Sequence, residues 1–295
     1  IENRAPLVFL GDGTQANHGL SHVHFAEFFG LTKPLVGIAH NTLRGPELYH
    51  WAMTQPVILT RIANDRALDI SADRVRMLFA FGPPKPKGSQ EERLRRLMAD
   101  PGLPVDAIRW GEQVHGRVVA SLAAEPGRPF ETAACVGRCD ALMTAEVGVG
   151  LLVWTADCVP MLINGDGVIA AVHSGWRGSV ADIGGAVVRR FAVEYGVPPE
   201  KLHATLGPAI SGPQYDVSPE VIAGLLSFGL DEGRWRNGSQ VDLRGFLAAR
   251  LEDLGLDSTR IDIAGPCTAS TPELASYRRD GVMAGRQWSM IYRVA

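Results

Sequence analysis

The 295-residue sequence lacks long hydrophobic runs and a strong net charge of either sign. No apolar stretch approaches the roughly 18 residues that a membrane-spanning helix needs, so we expect no membrane partner. The start shows no basic segment followed by an apolar core, which disfavours a secretory signal. A formal net charge of −3 disfavours nucleic acid as a partner, because nucleic-acid-binding proteins usually present a basic face.

Cysteine is also scarce, with four in the chain, which disfavours the disulfide framework of small secreted domains. We therefore expect a cytoplasmic protein, and the sequence leaves open a monomer or a small homo-oligomer. Cys135 and Cys139 are not spaced as a C-x-x-C motif, and we interpret both as buried small hydrophobic residues. The remaining composition is 46% hydrophobic and 21% charged, which is enough for a sizeable core.

Residues 113–175 consist of short apolar runs separated by Gly, Asp and Asn, a pattern typical of strands and hairpins. Helices are predicted for four segments, 89–100, 179–195, 221–228 and 242–254. The first begins with Ser89 and Glu92, which fit a capping box. The sequence therefore predicts an α+β fold in which helices flank a mixed, sandwich-like β-sheet core.

Two apolar runs, "LLVWTADCVP" (151–160) and "VIAAVHSGWRG" (168–178), flank the turn sequence "NGDG". Asn-Gly and Asp-Gly are strong hairpin signals, and a turn centred on Gly165 and Asp166 places Cys158 opposite His173. Directly opposed residues have Cβ atoms about 4.5–5.5 Å apart on one face, which suits two metal ligands or a thiol and its base. The alternative is a core cysteine beside a strand-end histidine.

A second histidine, His115, precedes a glycine in "QVHG". Together His115, Cys158 and His173 form a His/Cys/His set of the donor types that zinc prefers. Three protein ligands leave a fourth position for water or substrate, which is typical of a catalytic zinc site. The same residues also fit a Cys158 nucleophile with a histidine base.

Five motifs, "QVHG", "TADCVP", "HSGWRG", "LGPAIS" and "CTAS…SYRRDG…GR", occur in this order over residues 113–292. In these motifs the chain resembles the YfiH-like family, also called the laccase-domain or polyphenol oxidase family. The resemblance implies that His115, Cys158 and His173 are metal ligands and that the protein is a zinc-dependent purine nucleoside enzyme. It matches Asp140 to a family aspartate without implying a role for it.

The N-terminal region departs from the family pattern. Family members begin with an F-T-x-R-x-G-G-V-S stretch, whose nearest counterpart here is "ILTRIANDRALDIS" (58–71) without the glycines. The resemblance makes Arg61 a candidate substrate contact. Residues 1–55 have no counterpart, so we divide the chain into an N-terminal segment, 1–55, and one catalytic domain, 56–295.

Other charged residues are candidates for the substrate site. Arg278 and Arg279 lie among glycines and could bind an anion bidentately, although a solvated charge cluster is the alternative. Arg177 lies in the Gly-Trp-Arg-Gly turn at a predicted helix start, where anions are favoured. Asp157, next to Cys158, is a candidate acid or base, and the alternative is a strand-end carboxylate that caps backbone donors.

The resemblance implies phosphorolysis of adenosine, inosine and methylthioadenosine, deamination of adenosine, and nucleoside and phosphate as partners. One alternative is a cysteine or zinc hydrolase or amidase that edits cell-wall precursors. Another is a copper polyphenol oxidase, which eight histidines with a single H-x-H pair disfavour. A purely structural zinc would need a fourth protein ligand that the sequence does not offer.

Three further histidines, His18, His22 and His24, lie close together near the start of the chain. The first two would be neighbours on a helix, whereas the last two would share a strand face. One regular element therefore cannot present all three, which disfavours a second metal site.

Overall fold

The computed structural model describes residues 8–9, 57–63, 65–72, 74–81, 88–123 and 133–295. Most strands belong to two large sheets, here called sheet A and sheet B. In spatial order, sheet A contains β1 (Val8–Phe9), β2 (Val57–Ile62), β3 (Asp65–Ala72), β4 (Val75–Phe81), β16 (Gln287–Arg293), β9 (Val149–Thr155), β5 (Ala107–Glu112) and β7 (Ala133–Arg138). Sheet B contains β15 (Ile261–Ile263), β12 (His203–Leu206), β10 (Val159–Gly165), β11 (Val168–Ser174), β8 (Ala141–Thr144) and β6 (Val119–Leu122). A separate short ribbon pairs β13 (Arg236–Asn237) with β14 (Gln240–Val241).

Helices occupy a smaller share of the described residues than strands do. They are α1 (Gln90–Met98), α2 (Trp176–Val180), α3 (Ile183–Tyr195), α4 (Pro219–Leu226), α5 (Leu243–Asp253) and α6 (Tyr277–Asp280). Within the ranges given above, none of them combines the length and the apolar character needed to cross a membrane.

The two sheets pack face to face, and helices cover their outer faces. Leu151 and Val153 of β9 share one buried cluster with Leu162 of β10 and Ala171 of β11, which places this cluster between the sheets. The alternate residues of β9 pack with α1 outside sheet A, and α3 and α5 pack outside sheet B. Because β9 is covered on both faces, its whole run is apolar. The predicted α+β, sandwich-like fold flanked by helices is confirmed.

The hairpin register differs from the prediction. The turn is formed by Asp166 and Gly167, whose φ values of 43° and 80° suit a type I′ turn. Gly165 instead belongs to β10, where a Cβ would lie 2.7 Å from Leu202 Cδ2. His173 consequently pairs with Pro160 rather than with Cys158. The predicted direct pairing is therefore wrong, but Pro160 and Cys158 are two residues apart, so the shift does not change the face.

The helix predictions hold, with one interruption. Ser89 and Glu92 form the expected capping box at the start of α1. The segment predicted as one helix over 179–195 is broken before Ile183, because Asp182 adopts a left-handed conformation with φ of 60° and caps α3. The Asp182 carboxylate also pairs with Arg250 at 3.0 Å, which ties α3 to α5.

The interpretation of the cysteine pair is correct for one member only. Cys139 is 2% exposed, and burial first, then the nearby charge of Asp140, raises the pKa of its thiol to about 11. Cys135 is exposed, because it lies on β7 at the edge of sheet A, and there the prediction is wrong. Cys267 is buried and accepts a hydrogen bond from the Ser211 amide at 3.4 Å.

Candidate metal centre and its surroundings

Three predicted ligands converge where sheets A and B meet. His115 lies in the loop after β5, Cys158 lies in the bend between β9 and β10, and His173 lies in β11. Their ligand atoms all lie within 4.8 Å of one another, and no other such group of three occurs among the residues that the structure describes. We call these three residues the His/Cys/His cluster.

One buried carboxylate orients both histidines. Asp140 accepts hydrogen bonds from the backbone amides of Val114, His115 and Gly116 at 3.2, 2.9 and 2.7 Å. It also bonds His173 Nδ1 at 2.9 Å, which leaves Nε2 for a metal. Although burial opposes the charge, the bonds from His173 and from the amides lower the pKa of Asp140. The loop therefore holds His115 at φ of 61°, with its ring edge-to-face against His173.

A glycine makes room for the sulfur. A Cβ at position 175 would lie 2.7 Å from Cys158 Sγ and 3.3 Å from His115 Cδ2. The first of these contacts is shorter than van der Waals packing allows, so only glycine fits without displacing the sulfur. Gly175 thus sets how closely the chain after His173 approaches the other two members of the cluster.

The cluster is electrostatically suited to a metal. Burial raises the pKa of Cys158, but hydrogen bonds from His115 and His173 outweigh burial and lower it to about 6. Burial lowers the pKa of His173, but the bonds with Asp140 and Cys158 outweigh it and raise the pKa to about 9. At neutral pH the sulfur is therefore a thiolate, the form that binds metals. A thiolate and two imidazoles are donors that zinc prefers, so the residues present fit this metal.

Asp157 holds neighbouring loops together beside the cluster. Its φ is 85°, which breaks the strand alternation just before Cys158. Its carboxylate accepts hydrogen bonds from Thr268 Oγ1 and from the Arg278 amide, both at 2.6 Å, and its carbonyl accepts one from the Ile210 amide at 3.0 Å. These contacts match the alternative interpretation of a capping carboxylate. Its role as an acid or base stays a prediction.

Two of the four candidate arginines stack on aromatic rings near the cluster. The Arg177 guanidinium lies 4.4 Å from the centre of the Trp176 ring. The Arg278 guanidinium lies 5.1 Å from the centre of the Tyr215 ring. Trp176 and Tyr215 both pack against the same buried cluster outside sheet B. Both guanidinium groups are consequently held on rigid supports while they remain exposed.

The other two arginines are placed differently. Arg279 donates to the carbonyls of Thr268, Thr271 and Leu274, at 3.0, 3.0 and 2.6 Å, and pairs with its neighbour Asp280. These bonds shape the loop before α6. Arg61 is exposed on β2, which three strands separate from β9. The structure places Arg61 away from the cluster, and the roles of Arg61 and Arg279 in substrate binding stay predictions. His18, His22 and His24 lie outside the described residues.

Sequence reasoning missed several residues that shape this site. The Gln113 side chain bonds both the backbone N–H and the carbonyl of Trp154, at 2.8 and 2.7 Å, and so fixes the loop of His115. No local sequence pattern indicates that Tyr215 lies near the site, because its neighbours in space come from distant segments. Gly175 and Gln113 lie inside "HSGWRG" and "QVHG", so the motifs marked their positions without showing their contacts.

The family model described as multi-copper polyphenol oxidoreductase laccase matches residues 86–294. The chain belongs to this family. Within it, the chain is 38% identical over 206 residues to a purine nucleoside phosphorylase of Deinococcus radiodurans, covering 68% of this chain and 76% of that protein. It is also 38% identical over 204 residues to a purine nucleoside phosphorylase of Mycobacterium tuberculosis, covering 67% of this chain and 76% of that protein.

Two solved structures have a similar fold. YlmD from Geobacillus stearothermophilus is similar with a TM-score of 0.67 and 25% identity, covering 81% of this laccase-family chain and all of that one. The hypothetical protein YfiH from Bacillus licheniformis has a TM-score of 0.67 and 21% identity, covering 78% and 96% of the two chains. The family resemblance noted in the sequence is confirmed.

Proposed function

We propose that this protein is a zinc-dependent purine nucleoside phosphorylase whose metal ligands are His115, Cys158 and His173. The observation that carries the proposal is the convergence of these side chains within 4.8 Å of one another, in a chain whose relatives are named purine nucleoside phosphorylases. Its substrates are adenosine, inosine or methylthioadenosine together with phosphate. Deamination of adenosine at the same cluster is its second activity.

Zinc is favoured over a multicopper centre by the donors at hand. A thiolate and two imidazoles are common zinc ligands, and three of them leave one open position. A His/Cys/His set also occurs in single blue-copper sites, but laccase chemistry requires further histidine ligands. Among the residues that the structure describes, the remaining histidine is His203, whose Nε2 bonds Asp262 at 2.9 Å. It therefore supplies no second copper site beside the cluster.

The zinc ion and the surrounding residues have different roles in the reaction. A bound zinc ion supplies a Lewis acid with an open position beside the substrate. Asp140 keeps His173 oriented with Nε2 towards the cluster, and Arg177 and Arg278 present positive charge to the phosphate. In phosphorolysis a phosphate oxygen bonds to C1′ of the ribose while the bond to the purine nitrogen breaks. The purine keeps the electron pair and takes the proton that phosphate loses, so the products are ribose 1-phosphate and the free base.

One observation favours a different chemistry. The pKa values of about 6 for Cys158 and about 9 for His173 describe a thiolate–imidazolium pair at neutral pH. Such pairs also activate nucleophilic cysteines, so a cysteine hydrolase or amidase is the second candidate. Metal content distinguishes the two, because a sulfur that holds a stoichiometric metal is not a free nucleophile.

The test is to quantify metal in the purified protein and to incubate it with adenosine or inosine, with and without phosphate. Chromatography should show ribose 1-phosphate and free base only when phosphate is present, and ammonia release reports deamination. Cys158→Ala should lose both the metal and turnover. Cys135→Ala, which alters an exposed thiol outside the cluster, is the matched control. Metal-loaded wild-type protein that turns over no nucleoside would refute the proposal.

A further inference from the structure

Tyr215 contacts Arg278, feels the charge of Arg177, and has no part in the function described so far. Its ring is half-buried, and the Arg278 guanidinium covers one face of it. The same guanidinium donates to the carbonyls of Gln214 and Asp216, the two residues next to Tyr215 in the chain, at 3.3 and 3.0 Å. The ring and the guanidinium therefore form one rigid unit.

This unit is attached directly to the His/Cys/His cluster. The backbone amide of Arg278 bonds the Asp157 carboxylate at 2.6 Å, and Asp157 is covalently next to Cys158. Arg177 lies two residues after Gly175, where a Cβ would lie 2.7 Å from Cys158 Sγ. Arg177, Tyr215 and Arg278 thus come from three distant segments, and the charges of Cys158, Arg177 and Arg278 all act on the Tyr215 phenol.

The phenol of Tyr215 is held in its protonated form. Burial first, and then the negative charge of Cys158, raises the pKa of Tyr215 to about 12, against the opposing effect of Arg278 and Arg177. At neutral pH its hydroxyl therefore carries a proton that it can donate. It faces two positive groups and two negative ones, Cys158 and Asp157. The charge of Asp157 is already balanced in part by hydrogen bonds from Thr268 and Arg278.

We infer that Arg177, Tyr215 and Arg278 form a pocket for inorganic phosphate and that the Tyr215 hydroxyl is a direct hydrogen-bond donor to it. The inference rests on the proposed function and assigns the residue that binds its second substrate. Two fixed guanidinium groups suit a tetrahedral oxyanion, because their donors match phosphate oxygens bidentately. Arg279 takes no part, since Asp280 neutralises the charge of its guanidinium, which also donates to loop carbonyls. Arg278 donates to two carbonyls as well, but its guanidinium lies over the Tyr215 ring.

The pocket gives the enzyme a way to select phosphate over water. A water molecule presents a single neutral oxygen, whereas phosphate presents several negatively charged oxygens that accept hydrogen bonds. The hydroxyl of Tyr215 therefore contributes to the binding of phosphate and not to the binding of water. Phosphorolysis therefore depends on Tyr215, and deamination, which consumes water, does not.

The test compares Tyr215→Phe with wild-type protein, because this change removes the hydroxyl and keeps the ring under Arg278. The KM for phosphate should rise about 10- to 100-fold, as expected for one hydrogen bond to a charged group. The KM for nucleoside, the kcat at saturating phosphate and the metal content should stay near wild-type. Arg177→Gln should raise the KM for phosphate in the same way. Arg189→Gln, which changes an exposed arginine of α3, is the matched control.

Calorimetry of phosphate binding, together with the turnover assay, distinguishes failure of this inference from failure of the proposed function. Inorganic phosphate is titrated into metal-loaded wild-type protein and Tyr215→Phe, with adenosine 5′-monophosphate as a second ligand. If the wild type turns over nucleoside but Tyr215→Phe has an unchanged KM for phosphate, the inference is wrong and the proposed function stands. If no nucleoside is turned over but phosphate binding still depends on Tyr215, the proposed function fails and the pocket stands. If only the monophosphate depends on Tyr215, the assignment to free phosphate is wrong.

Discussion

Sheet B contains two buried histidine–aspartate pairs with the same geometry and different surroundings. His173 bonds Asp140 at 2.9 Å, and His203 bonds Asp262 at 2.9 Å. Both aspartates are 0% exposed, and both histidines are below 8%. His173 lies opposite Pro160 near the start of β10, whereas His203 lies opposite Asn164 near its end, so about 13 Å of strand separates the pairs.

The comparison shows that a histidine oriented by a carboxylate is not sufficient for a metal site. Only the first pair has a thiol and a second imidazole within reach, because the bend at Cys158 and the loop of His115 both end there. The second pair joins neighbouring strands inside the sheet, between β12 and β15. Three predictions test this contrast, from the largest expected effect to the smallest, and a fourth tests the glycine beside the Cys158 sulfur.

Replacing each histidine separately should give the largest difference between the two pairs. His173→Gln removes a cluster ligand and is expected to abolish stoichiometric zinc binding and nucleoside turnover. His203→Gln should keep one zinc per chain and lose about 1–3 kcal/mol of unfolding free energy, because it disturbs a buried hydrogen bond. Metal analysis and thermal unfolding of the two variants check this. Equal zinc content in both would contradict the assignment.

Replacing each aspartate should give a smaller and graded contrast. Asp140→Asn can no longer fix the His173 tautomer as a carboxylate does, and zinc affinity is expected to fall about 10- to 100-fold. Asp262→Asn should leave zinc affinity unchanged. Competition with a chromophoric chelator measures both. An affinity loss that is the same in the two variants would mean that general destabilisation, not ligand orientation, is responsible.

Zinc affinity should also depend on pH in a way that only the first pair can produce. The folded pKa of His173 is about 9, so its imidazole must lose a proton for zinc to bind at neutral pH, whereas Cys158, at about 6, has already lost its proton. Affinity should therefore rise about tenfold per pH unit between about pH 6 and pH 9 and level off above. Chelator competition across this range checks the slope. A flat profile would show that zinc binding displaces no proton from His173 in this range.

The smallest effect is expected from Gly175. Gly175→Ala forces a methyl group against Cys158 Sγ, at 2.7 Å, and should cost about 1–3 kcal/mol of unfolding free energy together with some zinc affinity. Gly184→Ala is the control, because its Cβ meets only Met161 Cε at 3.7 Å. Chemical denaturation of both variants measures the difference. If Gly184→Ala proves equally destabilising, the contact with the sulfur has no special importance.

Part of the site could be predicted because its information is local. The donor types of His115, Cys158 and His173 mark zinc chemistry, and a hairpin with a short turn brings two of them to one face. That prediction survived an error in register, because moving the turn by one residue shifts the partners by two positions and preserves the face. The capping box of α1 was equally local.

Other features could not be predicted, since their partners are far apart in the chain. Asp157 bonds Thr268 and Arg278 more than one hundred residues away, and no local pattern indicates which group a strand-end carboxylate will meet. The interruption of the predicted helix at Asp182 also involves a distant partner. Asp182 adopts a left-handed conformation, and its carboxylate pairs with Arg250 of α5.

The sequence by itself determined the donor set, the short apolar runs that form two covered sheets and the start of the first helix, because propensity and side-chain chemistry act between near neighbours. Only the tertiary structure decided which histidine–aspartate pair acquired a thiol, where Tyr215 lies and how Arg278 and Arg279 differ. Those outcomes depend on the closure of long loops around a packed core, and the energy that selects them is shared among residues that no sequence window contains.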